Sequence, residues 1–451
     1  MTDAFRGLRL AIFGLGRSGL GAARLALRLG AVPVAVDEGP GAAGQLAALE
    51  ELGVPCRTNW SGDVAEVPAD AWVVSPGVRA DHPSLVQARS LGLPVWGEVE
   101  FAYRAAQGPI LAVTGTNGKS TTTAMAWLCA QSLGRKAWLC GNIAGTGYPE
   151  LPLTEAVARA EPGDVLVAEI SSFQLETVER FRPLAAAITQ IRPDHLNRHG
   201  TMEAYAAAKN RIFAAMGPDH RAVAPLGDPW VRVPPGPEVL WFGEEVGDAH
   251  LDGDRLVVRG ESVSIAETPI VHGHDRLNAL VALCLATKLA PGDRDALHRA
   301  AEGLREFRPL THRMEDLGLR RGVRFVNASM CTNPAAAVAV SRALGGRQLL
   351  LVGGVAKETP FAELGRHTAA EGCRVFVYGR DGERIGAELA AEGATVAGPF
   401  GSMREAFRAA AGQAQAGETV VLAPGCASFD EFRDFEERGA AFRSLVEGLG
   451  A

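Results

Sequence analysis

Between Ile110 and Thr123 an apolar run enters a glycine-bracketed turn and then a threonine-rich stretch, Ile-Leu-Ala-Val-Thr-Gly-Thr-Asn-Gly-Lys-Ser-Thr-Thr-Thr. The pattern demands a buried strand, a tight loop and a helix opening at that loop, which is the unit of a parallel α/β sheet. Backbone N–H groups and the positive end of the helix then face one point, where a triphosphate is held. Lys119 supplies a mobile positive charge, and the Ser120 hydroxyl reaches the magnesium that accompanies it. The usual nucleotide-binding pattern places a glycine where this chain has Val113, so the spacing here is the shorter G-x-x-G-K-S. Gly115, Thr116, Asn117, Gly118, Lys119, Ser120 and Thr121 are the ATP-binding candidates.

A second glycine loop lies near the start. The strand-like Leu8–Phe13 runs into Gly14-Leu15-Gly16-Arg17-Ser18-Gly19, and a second strand, Val32–Val36, ends in Asp37. This is a full G-x-G-x-x-G fingerprint in its proper context, with an acidic residue about 20 positions on. Alone it suggests NAD or FAD. Beside a separate triphosphate loop, it suggests a ligase or kinase acting on a nucleotide-linked substrate.

The chain has 451 residues, too many for one ordinary core, and the β/α alternation divides it into three α/β domains. A Rossmann-like domain is expected over 1–97, a P-loop-type ATPase domain with a parallel sheet over 98–309, and a second Rossmann-like domain over 310–451. In the middle segment, strands at Val165–Ile170 and Ala185–Ile191 lead to Glu169 and to Asp194-His195, and a helix is expected over Met202–Met216. A Pro/Gly-rich stretch, Pro225–Pro237, precedes short strands between Val239 and Ile265. Ligands gather at the carboxyl ends of strands in such sheets, which places Glu169 and His195 at the site. A carboxylate beside a phosphate loop suits Mg²⁺, which prefers carboxylate and phosphate oxygens. Lys209, between Tyr205 and Phe213 at helical spacing, reads from spacing alone as an amphipathic lysine.

Net charge is −7, which argues against general nucleic-acid binding. The seven cysteines are scattered with no C-x-x-C pair, the N-terminus lacks a signal-peptide core, and no apolar run approaches a membrane span. A cytoplasmic protein with no membrane insertion is expected.

Taken together, Gly115–Thr121, Gly141-Asn142-Ile143, Glu169–Glu176, Asp194-His195, His274 with Asn278, His312-Arg313 and Pro424–Phe432 resemble the Mur ligases of bacterial cell-wall synthesis. The Gly-Thr-Asn-Gly-Lys loop is common to Mur ligases and folylpolyglutamate synthases. The Ser-Ser-Phe-Gln-Leu-Glu and Cys-Ala-Ser-Phe-Asp runs resemble the branch that adds D-glutamate to UDP-N-acetylmuramoyl-L-alanine. The resemblance implies an ATP-dependent acid–D-amino-acid ligase working through an acyl phosphate, with ATP and two Mg²⁺ sites.

By that resemblance, Lys119, Glu169, His195 and Lys209 are catalytic. Ser120, Glu169, His195 and Lys209, the last as a carbamate, hold metal. Asn278 and Arg313 join the ATP set. The UDP-linked substrate falls to Gly14, Leu15, Gly16, Arg17, Ser18, Asp37, Ser75, Gly77, Asn142, Ser171, Gln174 and His195. D-Glutamate falls to Thr332, Lys357, Ser428 and Phe435. A monomer is expected.

Departures from the family pattern cluster around ATP and the amino acid: Ala328 and Met330 in Asn327–Asn333, Asp275, Arg192, Asn197 and Val355. They raise the expectation of altered ATP or D-glutamate use. Alternatives are a different Mur-type or folylpolyglutamate-type ligase, a dinucleotide-dependent oxidoreductase using Gly14–Gly19, and a non-catalytic nucleotide-binding regulator.

Overall fold

The computed structural model describes residues 2–270, 273–356 and 359–449, and among these three separate sheets form three α/β domains. The first sheet is wholly parallel, in the order Cys56–Arg57, Val32–Val36, Arg9–Phe13, Ala71–Val74, Val95–Gly97. Its order reverses at Arg9–Phe13, and the crevice at such a reversal is where α/β sheets take ligands. Gly14–Gly19, Asp37 and Ser75–Gly77 all leave the carboxyl ends of the three strands around that point.

In the ten-stranded central sheet, Ile110–Thr114 lies between Val165–Glu169 and Ala185–Ile188. All three run parallel, so the phosphate loop, Glu169 and the 189–195 segment emerge side by side. Burial on both faces explains why these strands read as unbroken apolar runs. On one face Ile110 and Ala112 join a cluster that continues through Leu10, Ile12 and Leu25, so the first two domains share a core. On the other face Leu111 and Val113 pack with Met125 of the helix Lys119–Ser132 and Leu283 of the helix Gly273–Ala286. The latter helix is buried from Asn278 to Ala286, which accounts for its lack of a polar stripe.

The six-stranded third sheet runs Glu315–Arg320, Val323–Asn327, Thr419–Leu422, Gln348–Gly353, Arg374–Tyr378, Thr395–Phe400. Only the Glu315–Arg320 edge strand is antiparallel. The carboxyl end of Val323–Asn327 leads through 328–333 to the middle domain, where Asn333 donates to Asp194 at 3.1 Å.

Several elements differ from the sequence reading. The helix expected over Met202–Met216 is α-helical only over Met202–Asn210 and tightens into a 3-10 turn at Arg211–Phe213. The Pro225–Pro237 stretch begins inside a parallel strand, Arg221–Pro225, whose terminal proline costs the ladder little. The segment Ala137–Gly141 also forms a sheet strand, paired with Val165–Glu169, that the sequence reading passed over.

Candidate active site

The phosphate loop is a tight cradle. Gly118 caps the helix Lys119–Ser132 at φ +83°, and a Cβ there would lie 2.5 Å from Asn278 Oδ1, so the position rejects any side chain. Thr189 braces the loop from the neighbouring strand end, its hydroxyl donating to the Asn117 carbonyl at 2.6 Å. With that carbonyl turned toward Thr189 and the Thr116 N–H donating to the Gln190 carbonyl at 2.8 Å, the helix N-terminus is the loop's open face. Thr116 lies behind, its Oγ1 3.1 Å from the Tyr205 hydroxyl, and Lys119 Nζ folds back to the Thr116 carbonyl at 2.9 Å.

Ser120 and Glu169 meet directly, the Ser120 hydroxyl donating to Glu169 Oε2 at 2.6 Å. The other carboxylate oxygen accepts from Asn142 Nδ2 at 3.3 Å, and the Asn142 backbone N–H donates to the Glu169 carbonyl at 2.8 Å. Three predicted residues therefore form one hydroxyl–carboxylate–amide group at the mouth of the loop. Its hard oxygens suit Mg²⁺. Among the described residues, no three His, Cys, Asp or Glu side chains converge to cage a metal ion, so phosphate oxygens or a modified lysine would have to complete any such site.

Lys209 is 2 % exposed, with Nζ 2.6 Å from the Gly115 carbonyl and 4.7 Å from the centre of the Tyr205 ring. Burial, reinforced by Lys119, holds its ammonium well below the ordinary lysine range, while Asp194 and Glu169 oppose that shift. A buried lysine driven toward its neutral amine beside a phosphate loop is chemically unlike the solvated lysine that helical spacing suggests. His195 adopts the left-handed conformation at φ +52°, uncommon for a side-chain-bearing residue. Its backbone N–H donates to Asp194 Oδ1 at 2.8 Å, while Asp194 Oδ2 accepts from Asn333 Nδ2 of the third domain at 3.1 Å.

The third domain reaches the loop through Arg313. Its guanidinium donates to Thr121 Oγ1 at 3.2 Å, to Ser120 Oγ at 3.3 Å and to the Met330 sulfur at 3.0 Å, while Nε is buried without a partner. A thioether is a weak acceptor, so this cation is under-satisfied at the mouth of an anion cradle. A cleft of about 950 Å³ opens in front, lined by Thr116–Lys119, His195, Asn278, Arg313 and Thr332 among others.

At Gly14–Gly19 the geometry differs. The third glycine is fixed by close approach, because a Cβ on Gly19 would lie 2.0 Å from the Gly14 carbonyl. Ser75 donates to that carbonyl at 2.8 Å. Asp37 accepts from the N–H groups of Leu15 at 2.9 Å and Gly39 at 2.8 Å. Each carboxylate oxygen keeps a lone pair for a ligand hydroxyl. Gly16 caps the helix Arg17–Arg28, which begins with Arg17 and Ser18.

Other candidates are placed less directly. Ser171 and Gln174 form a capping box on the short helix Ser172–Leu175, and Gln174 Nε2 donates to buried Glu98 at 2.9 Å, so the amide serves the fold first. Thr332 lines the cleft, but Ser428 and Phe435 are not among its described lining residues. Ser428 is buried, and the Phe435 carbonyl accepts from Ser329 at 2.7 Å. Lys357 lies outside the described residues, as does the side chain of Asn197. Asp275 accepts from Asn278 at 3.3 Å, Arg192 pairs with Asp228 at 3.0 Å, and Val355 bridges to Ala427. Thr189, Tyr205 and Asn333 escaped the functional reading; Thr189 carries one sequence signal, a hydroxyl just past a strand end, whereas Tyr205 lies inside the helix Met202–Asn210 and Asn333 is the N-cap of the helix Pro334–Leu344.

Residues 113–286 match the Mur ligase middle domain and residues 312–426 match the Mur ligase, glutamate ligase domain. The chain belongs to the Mur ligase family. Among its relatives, the UDP-N-acetylmuramoylalanine–D-glutamate ligase of Acidobacterium capsulatum is 36% identical, over 98% of this chain and 96% of that protein. The enzyme of the same name from Anaeromyxobacter dehalogenans is 38% identical over 98% of both. Among solved structures, the UDP-N-acetylmuramate-alanine ligase of Thermotoga maritima superimposes with a TM-score of 0.61 at 18% identity, covering 98% of this chain and 100% of that one. The Mur ligase fold is thus shared along the whole chain. Among the described residues, no helix is long and apolar enough to cross a membrane.

Proposed function

We propose that this Mur ligase adds D-glutamate to UDP-N-acetylmuramoyl-L-alanine at the expense of ATP, in peptidoglycan synthesis, as a cytoplasmic monomer. The full-length likeness to D-glutamate ligases supports the choice of amino acid. The observation that carries the chemistry is the contact of Arg313 with Ser120 and Thr121 beside Glu169. In this reading Arg313 brings a positive charge of the third domain to the loop that would hold the terminal phosphate of ATP.

In this reading the first loop and Asp37 take the UDP end of the substrate, with Ser75 and Gly77 beside them. The substrate carboxylate attacks the γ-phosphorus of ATP, ADP leaves, and an acyl phosphate forms. Lys119, the loop N–H groups and Arg313 neutralise charge on the transferring group, so catalysis is positioning plus electrostatics. The amine of D-glutamate then attacks the carbonyl carbon, and phosphate leaves from the tetrahedral adduct. Thr332, Ser428, Phe435 and Lys357 are assigned to hold that amino acid.

Ser120 and Glu169 would hold Mg²⁺, whose positive charge would offset that of the phosphates. His195 and carbamylated Lys209 would hold a second ion. The suppressed ammonium of Lys209 favours the neutral amine that adds to CO₂, with one proton released and an anionic carbamate formed. Asn142 orients Glu169, and Asn278 lines the nucleotide side of the cleft.

The test is phosphate release by the purified protein with UDP-MurNAc-L-Ala, ATP and Mg²⁺ across a panel of amino acids. Release dependent on D-glutamate, with a product heavier by one glutamyl residue, is expected. Release that ignores D-glutamate but follows another acceptor would reassign the chain to a different Mur-type or folylpolyglutamate-type ligase.

A further inference from the structure

A second cluster of charge lies away from the nucleotide cleft, at the seam between the first and middle domains. Arg198 sits three residues beyond His195 on the one-turn helix Leu196–His199. Its guanidinium forks onto Glu176, with Nε 3.0 Å from Oε1 and Nη2 2.7 Å from Oε2. The same group donates across the seam to the carbonyls of Gly77 and Val78, each at 3.2 Å. It also lies over the Phe173 ring, 4.3 Å from its centre. In return, Arg79 of the first domain donates to the Arg198 carbonyl at 3.3 Å. The Arg198 and Glu176 side chains are only 12% and 17% exposed.

The places this cluster joins make it more than an ordinary inter-domain ion pair. Gly77 and Val78 follow Ser75, the brace of the first glycine loop. Phe173 and Glu176 follow the strand that ends in Glu169, and the Phe173 ring packs edge-on against His195 with centres 4.9 Å apart. One planar guanidinium therefore touches the first domain's ligand crevice and, through Phe173 and its own short helix, His195. A planar fork bound on several sides fixes direction as well as distance, which a lysine ammonium does not.

We propose that Arg198 and Glu176 are a positioning pair that fixes the span between the Ser75–Val78 loop and His195, and thereby the length of UDP-linked acid whose carboxylate reaches the phosphate loop. The inference rests on the reading of those two places as the nucleotide end and the reacting end of one substrate. An added residue lengthens an extended acid by about 3.3–3.6 Å. A seam loosened by about 1 Å is enough to misplace a reacting group at a large cost in rate.

The experiment compares wild type, R198K and E176Q for turnover of UDP-MurNAc-L-Ala and of UDP-MurNAc, one residue shorter, with hydrogen exchange on the same ligand-free proteins. In R198K, kcat/KM for UDP-MurNAc-L-Ala should fall by about 10- to 100-fold, with the KM for ATP within about twofold of wild type. Preference over the shorter acid should fall by about tenfold or more, and E176Q, which keeps the side-chain volume, should show the same loss in weaker form. Exchange at 75–79 and 195–200 should rise while 115–121 stays unchanged. Equal losses for both acids, a parallel rise in the KM for ATP, or unchanged exchange at the seam would overturn the proposal. If wild type lacks D-glutamate-dependent turnover, the functional reading fails by itself, and the exchange pattern still decides whether Arg198 holds the seam.

Discussion

The two glycine loops are built alike at the back and differently at the front. In each, a hydroxyl from a neighbouring strand end donates to a loop carbonyl: Ser75 to Gly14, and Thr189 to Asn117. That shared brace turns carbonyls away and leaves N–H groups and a helix terminus to meet phosphate. At the front, the first loop spends the Leu15 N–H on Asp37, whereas the second presents Lys119, the Ser120–Glu169 pair and an incoming arginine. In the proposed function the first arrangement would hold a diphosphate and read its sugar, and the second would neutralise a phosphoryl group in transit. The glycines make the cradle, and the charges around it decide whether a phosphate is only held or also transferred.

The largest expected effect comes from removing the transfer charge alone. Lys119→Ala should lower D-glutamate-dependent phosphate release by about 10²–10³-fold or more while UDP-MurNAc-L-Ala still binds. Next is Lys209→Ala, expected to cost about 10²-fold in turnover and to regain part of it when acetate or another short carboxylate is supplied in steady-state assays. Rescue would sharpen the difference between the loops, since among the described residues a buried lysine stands beside the second loop and none beside the first. Absence of rescue would remove the carbamate but not the ligase assignment.

A smaller effect is expected from Asp37→Asn, which sets an amide against the Leu15 and Gly39 N–H groups. The loss should be about 1–2 kcal/mol in UDP-substrate affinity by calorimetry, with ATP affinity unchanged. Ser75→Ala, which frees one carbonyl, should cost about 1 kcal/mol or less in thermal unfolding and little in turnover. A Ser75→Ala effect as large as that of Lys119→Ala would mean that the brace, rather than the charge, sets the difference.

Both loops were legible in the sequence because their chemistry is local: glycine spacing, a strand before and a helix after. Glu169 and His195 followed from the rule that strand carboxyl ends carry sites. Lys209 did not, since its character comes from the Gly115 carbonyl and from burial, neither of which leaves a mark on residues 205–213. The link from Arg198 to Glu176 and Gly77 was equally silent, because three distant segments meet only when two domains pack. The Glu315–Arg320 strand was missed because it is an irregular edge strand with a central glycine and no apolar run. The family resemblance supplied Thr332, Ser428 and Phe435, but only Thr332 is among the described residues lining the cleft.

The division of labour between the loops is tested most directly by calorimetric titration of Lys119→Ala with each ligand in turn. UDP-MurNAc-L-Ala should bind within about threefold of its wild-type affinity, while affinity for a non-hydrolysable ATP analogue should fall by about tenfold or more, the loss expected of a charged contact. Equal loss of both ligands would contradict the account, because the two loops would then be parts of one site.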